Sequence, residues 1–164
     1  MSSHIVDGRP AGVTSLTPFL VVSPARAALD FYRDVFGARV EGVIDGPAGP
    51  DGAPLVMHAD VVFDAGRLQL QDTGLTPGLA APAAGEPQHG SIGLYVRDVD
   101  AVVARAAAAG ATIVEPPADF ASGDRYAALL DPVGRRWTVM TRVEDISPEE
   151  SERRVREWAA SLAG

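Results

Sequence analysis

Apolar and polar positions change their period repeatedly along the chain, and each change marks an element. Leu16 to Val22 reads LTPFLVV, a strand-like run closed by Ser23-Pro24. Ser23 at an N-cap with Pro24 at the first helical position opens a helix. Ala25, Ala28, Leu29, Tyr32 and Phe36 then recur at helical spacing, so one face meets a sheet while Arg26, Asp30, Arg33 and Asp34 stay in water, and Gly37 ends the helix. Arg39 to Ile44 gives the next strand, followed by a turn-rich loop through Gly46, Pro47, Gly49, Pro50 and Gly52. Val56 to Phe63 and Arg67 to Asp72 are two further strands joined across Asp64-Ala65-Gly66. Alternation puts Leu68 and Leu70 on one side and Gln69 and Gln71 on the other; in the preceding strand Val61 and Phe63 suit the helix-covered side, which leaves His58, Asp60 and Val62 opposite.

The same order begins again after residue 90. A strand from Ser91 to Val96 leads to a helix that opens at Asp98 and stops at Gly110, then to strands at Thr112 to Val114, Arg125 to Leu130 and Arg136 to Thr141. The two helices end alike, in Phe36-Gly37-Ala38-Arg39-Val40 and Ala109-Gly110-Ala111-Thr112-Ile113. A duplicated β-α-β-β-β unit accounts for both halves. Between them, residues 73–90 are rich in Gly, Pro and Ala without period, a linker or a lid. In Leu129 to Met140 the Asp131-Pro132-Val133-Gly134 turn reverses the chain between two strands, because Pro132 has no amide donor and Gly134 tolerates positive φ. Residues 1–15 carry no period and read as an arm. The tail from Ser147 has a capping box with Glu150 and Pro148 at the first helical position, and the helix it opens lines Val155, Trp158, Ala159 and Leu162 on one face.

The expected organisation is one α+β domain: arm 1–15, first module 16–72, loop 73–90, second module 91–142 and C-terminal amphipathic helix 143–164. Its 164 residues suffice for a core without staples. No apolar run approaches the ~20 residues of a membrane span. The first residues lack a basic start and a continuous apolar segment, so the expected location is the cytoplasm. There is no cysteine, hence no disulfide or thiolate site. A formal charge of -8 repels phosphate backbones and argues against a nucleic-acid partner; it serves either as a solubility surface or as an attraction for a cation.

The paired units, Asp30-Phe31-Tyr32-Arg33-Asp34-Val35-Phe36-Gly37, Tyr95-Val96-Arg97-Asp98-Val99-Asp100-Ala101-Val102 and Asp131-Pro132-Val133-Gly134 together resemble the vicinal oxygen chelate superfamily of glyoxalases, bleomycin-resistance proteins and extradiol dioxygenases. Gly123-Asp124-Arg125-Tyr126 before the last hairpin and Val143-Glu144-Asp145-Ile146-Ser147 after it look most like its PhnB-like branch. The resemblance implies two modules whose curved sheets form an open cup, often completed in a homodimer. In metal-using members the ligands come from the first strand of each module and the last strand of each. Placed by the local motifs, those positions hold Thr17, Gln69 or Gln71, Ser91 and Thr138. None is His, Asp or Glu, and a divalent ion leaving water needs anionic or imidazole ligands to offset its lost hydration. The expectation is therefore no metal and no other cofactor.

The candidate ligand-binding set is Thr17, Phe19, His58, Asp60, Gln69, Gln71, Ser91, Tyr95, Arg125 and Thr138. His58 beside Asp60 is either a general base or a histidine satisfied by its neighbour. Superposing the modules puts Arg125 where His58 stands, as a cation for a carboxylate or enolate, or else in an ion pair with a nearby acid such as Asp124. Phe19 and Tyr95 add aromatic surface, or belong to the core. His4 and His89 fall in the arm and the loop; a register shift of two would bring His89 to the Ser91 position. Two readings stay open: a homodimeric module that binds an aromatic or cationic small molecule without metal, and an enzyme that uses His58 and Arg125 for proton abstraction, or a metal if the positions are displaced.

Overall fold

The computed structural model describes residues 4–83, 85–86 and 89–162. It is an α+β protein with two four-stranded sheets, and its backbone contacts divide it into two units, the division falling after Glu86.

The first unit begins with a small hairpin, β1 (Ile5–Val6) against β2 (Arg9–Pro10), so the arm is partly ordered by a turn whose Asp7 and Gly8 both take positive φ. The main sheet follows: β3 (Phe19–Val22), α1 (Ala25–Phe36), β4 (Arg39–Ala48), β5 (Pro54–Phe63) and β6 (Gly66–Asp72). The strand order is β3-β6-β5-β4, with β3 parallel to β6 and the other pairs antiparallel. β4 runs through Gly46 and Pro47, where the sequence predicts a loop, because Pro47 falls at a register shift of an edge strand, a place where proline is tolerated. α1 buries Ala25, Ala28, Leu29, Phe31, Tyr32 and Val35 against Val22, Val61, Leu68 and Leu70, all on one face of the sheet.

The second unit repeats the plan. β7 (Ile92–Tyr95), α2 (Val99–Ala108), β8 (Thr112–Asp119), β9 (Asp124–Leu130) and β10 (Arg136–Arg142) order as β7-β10-β9-β8, again with first and last strands parallel. β8 extends past Val114 through Pro116 and Pro117; it too is an edge strand. Asp98 caps α2 by accepting from the Ala101 amide at 3.0 Å.

The duplication extends to how each helix is started. Ser23 does not cap α1; the N-cap position falls on Pro24, and the first free helical amide, that of Ala25, donates to Asp72 Oδ1 at 2.8 Å. In the second unit the amide of Val99 donates to Thr141 Oγ1 at 3.0 Å, and that hydroxyl donates to the Val96 carbonyl. In both units a side chain near the end of the last strand satisfies an orphan helix donor.

α3 (Pro148–Ser161) is capped by Ser147, whose hydroxyl accepts from the Glu150 amide. The Glu150 carboxylate does not complete the reciprocal box: Arg153 and Arg154 hold it and pull its pKa down to about 2. The helix buries no residue fully. It is anchored instead at the Ser122-Gly123-Asp124 corner. Ser151 Oγ and Arg142 Nη1 both donate to the Ser122 carbonyl, Gly123 O accepts from the Val143 and Glu144 amides, and Asp124 faces Arg142 Nε at 3.1 Å. Gly123 has φ +82, and a Cβ there would lie 3.0 Å from both Arg142 Nη1 and Ile146 Cδ1. Gly123→Ala is therefore expected to cost about 2 kcal/mol and to loosen α3, read as a red shift of Trp158 emission and faster amide exchange in Ser151 to Trp158. Among the described residues no helix is long and apolar enough to cross a membrane.

Candidate functional site

Each sheet has a helix on one face only, and the predicted site residues are best located by which face the register gives them. In the first unit Phe19, Gln69 and Asp60 stand side by side across β3, β6 and β5, with Glu41 beyond them on β4. Leu68 and Leu70 point to α1, so this row faces away from the helix. Gln69 Nε2 donates to Asp60 Oδ1 at 3.1 Å, and His58 Nε2 lies 3.5 Å from Asp60 Oδ2. Arg67, unremarked in the sequence, completes the cluster: its side chain is only 13% exposed, with Asp60 and Glu41 oxygens at 3.7 and 3.8 Å. Phe19 is 41% exposed. Gln71 is buried, and its amide exchanges hydrogen bonds with the Thr76 hydroxyl at 2.9 and 3.1 Å. Thr17 lies ahead of β3 and donates to the Thr14 carbonyl.

In the second unit Ser91 Oγ and Thr138 Oγ1 are 2.7 Å apart, hydrogen bonded to each other. Thr138 pairs with Gly93 and Ala128, and Met140 with Tyr95 and Tyr126, all on the face away from α2. Trp137, Leu129, Val139 and Ala127 fill the α2 side, as expected for Trp137. Tyr95 is 59% exposed and its hydroxyl donates to Asp124 Oδ2 at 3.3 Å. His89 is exposed and outside the strand, as is His4 in the arm.

Arg125 is displaced from its expected place. It shares the parity of Ala127 and Leu129, hence the helix side, and it is held there: Nε and Nη2 donate to both oxygens of Asp100 on α2, and Nη1 to Asp119. These carboxylates, Asp100 foremost, raise its pKa further above the usual guanidinium range, and Arg125 lowers that of Asp100. Asp124, the expected acid, pairs with Arg142 instead. Matching Phe19–Gln69–Asp60 to Gly93–Thr138–Ala128 makes Tyr126 the counterpart of His58 and Ala128 that of Asp60. The expected superposition was off by one residue, and in a strand one residue exchanges the faces. Tyr126 donates to Glu115 Oε2 at 3.2 Å, which raises its pKa and keeps the phenol protonated. The signal for Tyr126 was its alternation with Ala128, obscured by four consecutive apolar residues, 127–130.

The same register settles which last-strand glutamine matches Thr138: it is Gln69. The four positions at which the sequence resemblance leads one to expect metal ligands are thus Thr17, Gln69, Ser91 and Thr138, three hydroxyls and an amide. Ser91 and Thr138 satisfy one another, and the Gln69 amide is engaged by Asp60. Among the described residues no three His, Asp or Glu side chains converge as metal ligands. This donor set does not fit a transition ion.

The sequence model of the Glyoxalase/Bleomycin resistance protein/Dioxygenase superfamily matches residues 9–139. An uncharacterised protein of Mycobacterium bovis is 34% identical over 144 residues, covering 83% of this chain and 88% of its own. Among solved structures, TioX from Micromonospora sp. ML1 is 28% identical with a TM-score of 0.55, over 78% of this chain and 99% of its own. The PhnB protein of Bacillus cereus shares the fold at 16% identity and a TM-score of 0.60, over 78% of this chain and 99% of its own. The duplicated β-α-β-β-β plan and these matches agree: the chain belongs to the glyoxalase/bleomycin resistance protein/dioxygenase superfamily.

Proposed function

We propose that this protein binds or sequesters a small organic molecule on the helix-free sheet faces without the help of a metal ion. One observation carries the reading: Ser91 is hydrogen bonded to Thr138 and Gln69 donates to Asp60, and the neutral side chains of Ser91, Thr138 and Gln69 stand where the resemblance leads one to expect metal ligands. A divalent ion at those four positions would meet only hydroxyl and amide oxygens, with no carboxylate or imidazole among them to offset its lost hydration. Polar groups on a face where a filled core would place aliphatic ones support a role in binding rather than packing. Homodimer formation and a cytoplasmic location belong to the same proposal, the first on the superfamily's habit.

The test has two parts. Protein purified without chelator is expected to contain no stoichiometric Zn, Ni, Fe or Mn by elemental analysis; a near-equimolar transition ion would overturn the proposal. A thermal-shift screen of small aromatic compounds and 2-oxo acids is expected to return a ligand that raises the midpoint, since binding only the folded state stabilises it.

A second reading rests on the His58–Asp60 contact. Asp60 is held by Gln69 and flanked by Arg67, and its carboxylate 3.5 Å from His58 supports a general-base role for that histidine. Arg125 takes no part in it, being engaged by Asp100 and Asp119. Loss of turnover in His58→Ala with ligand binding retained would favour this reading over binding alone.

A further inference from the structure

The row that includes Tyr95 continues beyond the sheet. Tyr95, Met140 and Tyr126 are direct cross-strand neighbours on β7, β10 and β9. At the usual strand spacing they span about 10 Å, the reach of a fused-ring system. Gly93 leaves room for Met140, whose Cε comes within 3.3 Å of where a Cβ would stand. Past Tyr126 the Phe120 ring follows, edge-on at 5.8 Å, and then Trp158 of α3, edge-on to Phe120 at 4.8 Å and 44% exposed. The C-terminal helix thus adds an aromatic ring to the end of the row.

The polar groups along it are closed in pairs. Tyr95 donates to Asp124, which faces Arg142; Tyr126 donates to Glu115, which accepts from Arg136 at 2.5 Å. Each of these two carboxylates lies beside its own guanidinium, so neither offers an uncompensated charge to an ionic guest. An ion on this surface would give up hydration without a partner, whereas a neutral ring system gains contact with aromatic faces and a polarisable thioether.

We propose that the open face of the second unit binds an uncharged planar aromatic molecule along Tyr95, Met140, Tyr126, Phe120 and Trp158. This rests on the binding function proposed above and narrows its ligand: the overall negative charge of the chain does not select a cation here, because the acids at the face are neutralised locally.

Shape-matched probes test it with the intact protein. Acridine held as the free base, N-methylacridinium and acridine carboxylate share one ring frame and differ in charge. Acridine is expected to bind and to quench tryptophan emission, and the two ions to bind at least tenfold more weakly. Trp158→Ala and Tyr95→Ala are each expected to weaken acridine about tenfold, with Trp158→Phe restoring most of the loss. An unchanged thermal midpoint in Trp158→Phe and Tyr95→Phe controls for folding. Equal or tighter binding of either ion overturns the proposal. So does acridine affinity unmoved by both alanine variants, and if Gln69→Ala then abolishes it, the binding function stands with its ligand on the first unit. A dimer that Tyr95→Ala converts to monomer also overturns it, by assigning the face to a second copy. A screen in which no compound shifts the midpoint overturns the binding function itself.

Discussion

Asp131→Ala lowers the stability of the second unit by about 4 kcal/mol. The carboxylate is buried in the last hairpin and accepts from three donors: the amides of Val133 and Arg135 at Oδ1, and Trp137 Nε1 at Oδ2, at 3.1, 2.8 and 3.0 Å. Removing it strands these donors, each at about 1–3 kcal/mol. The Asp-Pro-x-Gly turn is thereby also the seat of the largest fully buried side chain, Trp137. Asp131→Asn keeps the oxygen facing the two amides but turns an NH2 toward the indole N–H, so about 2 kcal/mol is expected. In a Trp137→Phe background that opposed donor is gone, and the asparagine penalty should shrink by about 1 kcal/mol. Urea unfolding of the four proteins of this cycle, followed by circular dichroism, measures the coupling; equal penalties in both backgrounds would remove the indole from the account.

In the first unit the corresponding result is expected at Asp72. Its Oδ1 accepts from the Ala25 amide and its Oδ2 from the Val56 amide, both at 2.8 Å, so one buried carboxylate joins the start of α1 to β5. Asp72→Ala is expected to cost about 3 kcal/mol and Asp72→Asn about half that, since an amide can serve one of the two donors. Hydrogen exchange gives the local readout. The Ala25 and Val56 amides should lose protection ahead of their neighbours in Asp72→Ala, and protection retained at both would mean that the carboxylate is not what closes them.

Asp131 holds donors within its own hairpin, at Val133, Arg135 and Trp137, whereas the role of Asp72 is hidden in the sequence by distance. Asp72 meets residues 47 and 16 positions away, and nothing in its neighbourhood signals that. The duplicated plan, by contrast, was legible, because it is carried by local signals: Gly37 and Gly110 after two amphipathic helices, and the alternation of Leu68–Gln71. The helix-free face of the first unit followed from that alternation, and His58, Asp60 and Gln69 do come together there. The second unit was read one residue out at Arg125. Ala127, Ala128, Leu129 and Leu130 give no contrast between faces, and only pairing with Trp137 and Thr138 shows which of them turn toward α2. Arg67 carries no signal in the sequence for a similar reason: a charged residue at a strand start reads as exposed, and its burial is a property of the sheet. The sequence predicts that the edge strands end at Ile44 and Val114, ahead of Pro47 and Pro116, but a local rule against proline yields to position in the sheet.

Pro116 and Pro117 in β8 carry a consequence for how the protein behaves at high concentration. They lie on the outermost strand of the second sheet and offer no amide hydrogens to an approaching chain. A foreign strand laid along that rim would find its ladder interrupted at the prolines, which disfavours recruitment into fibrillar stacks from that side. Exchanging both prolines for threonine would keep the extended backbone while restoring amide hydrogens to this edge strand, and would leave that margin less guarded.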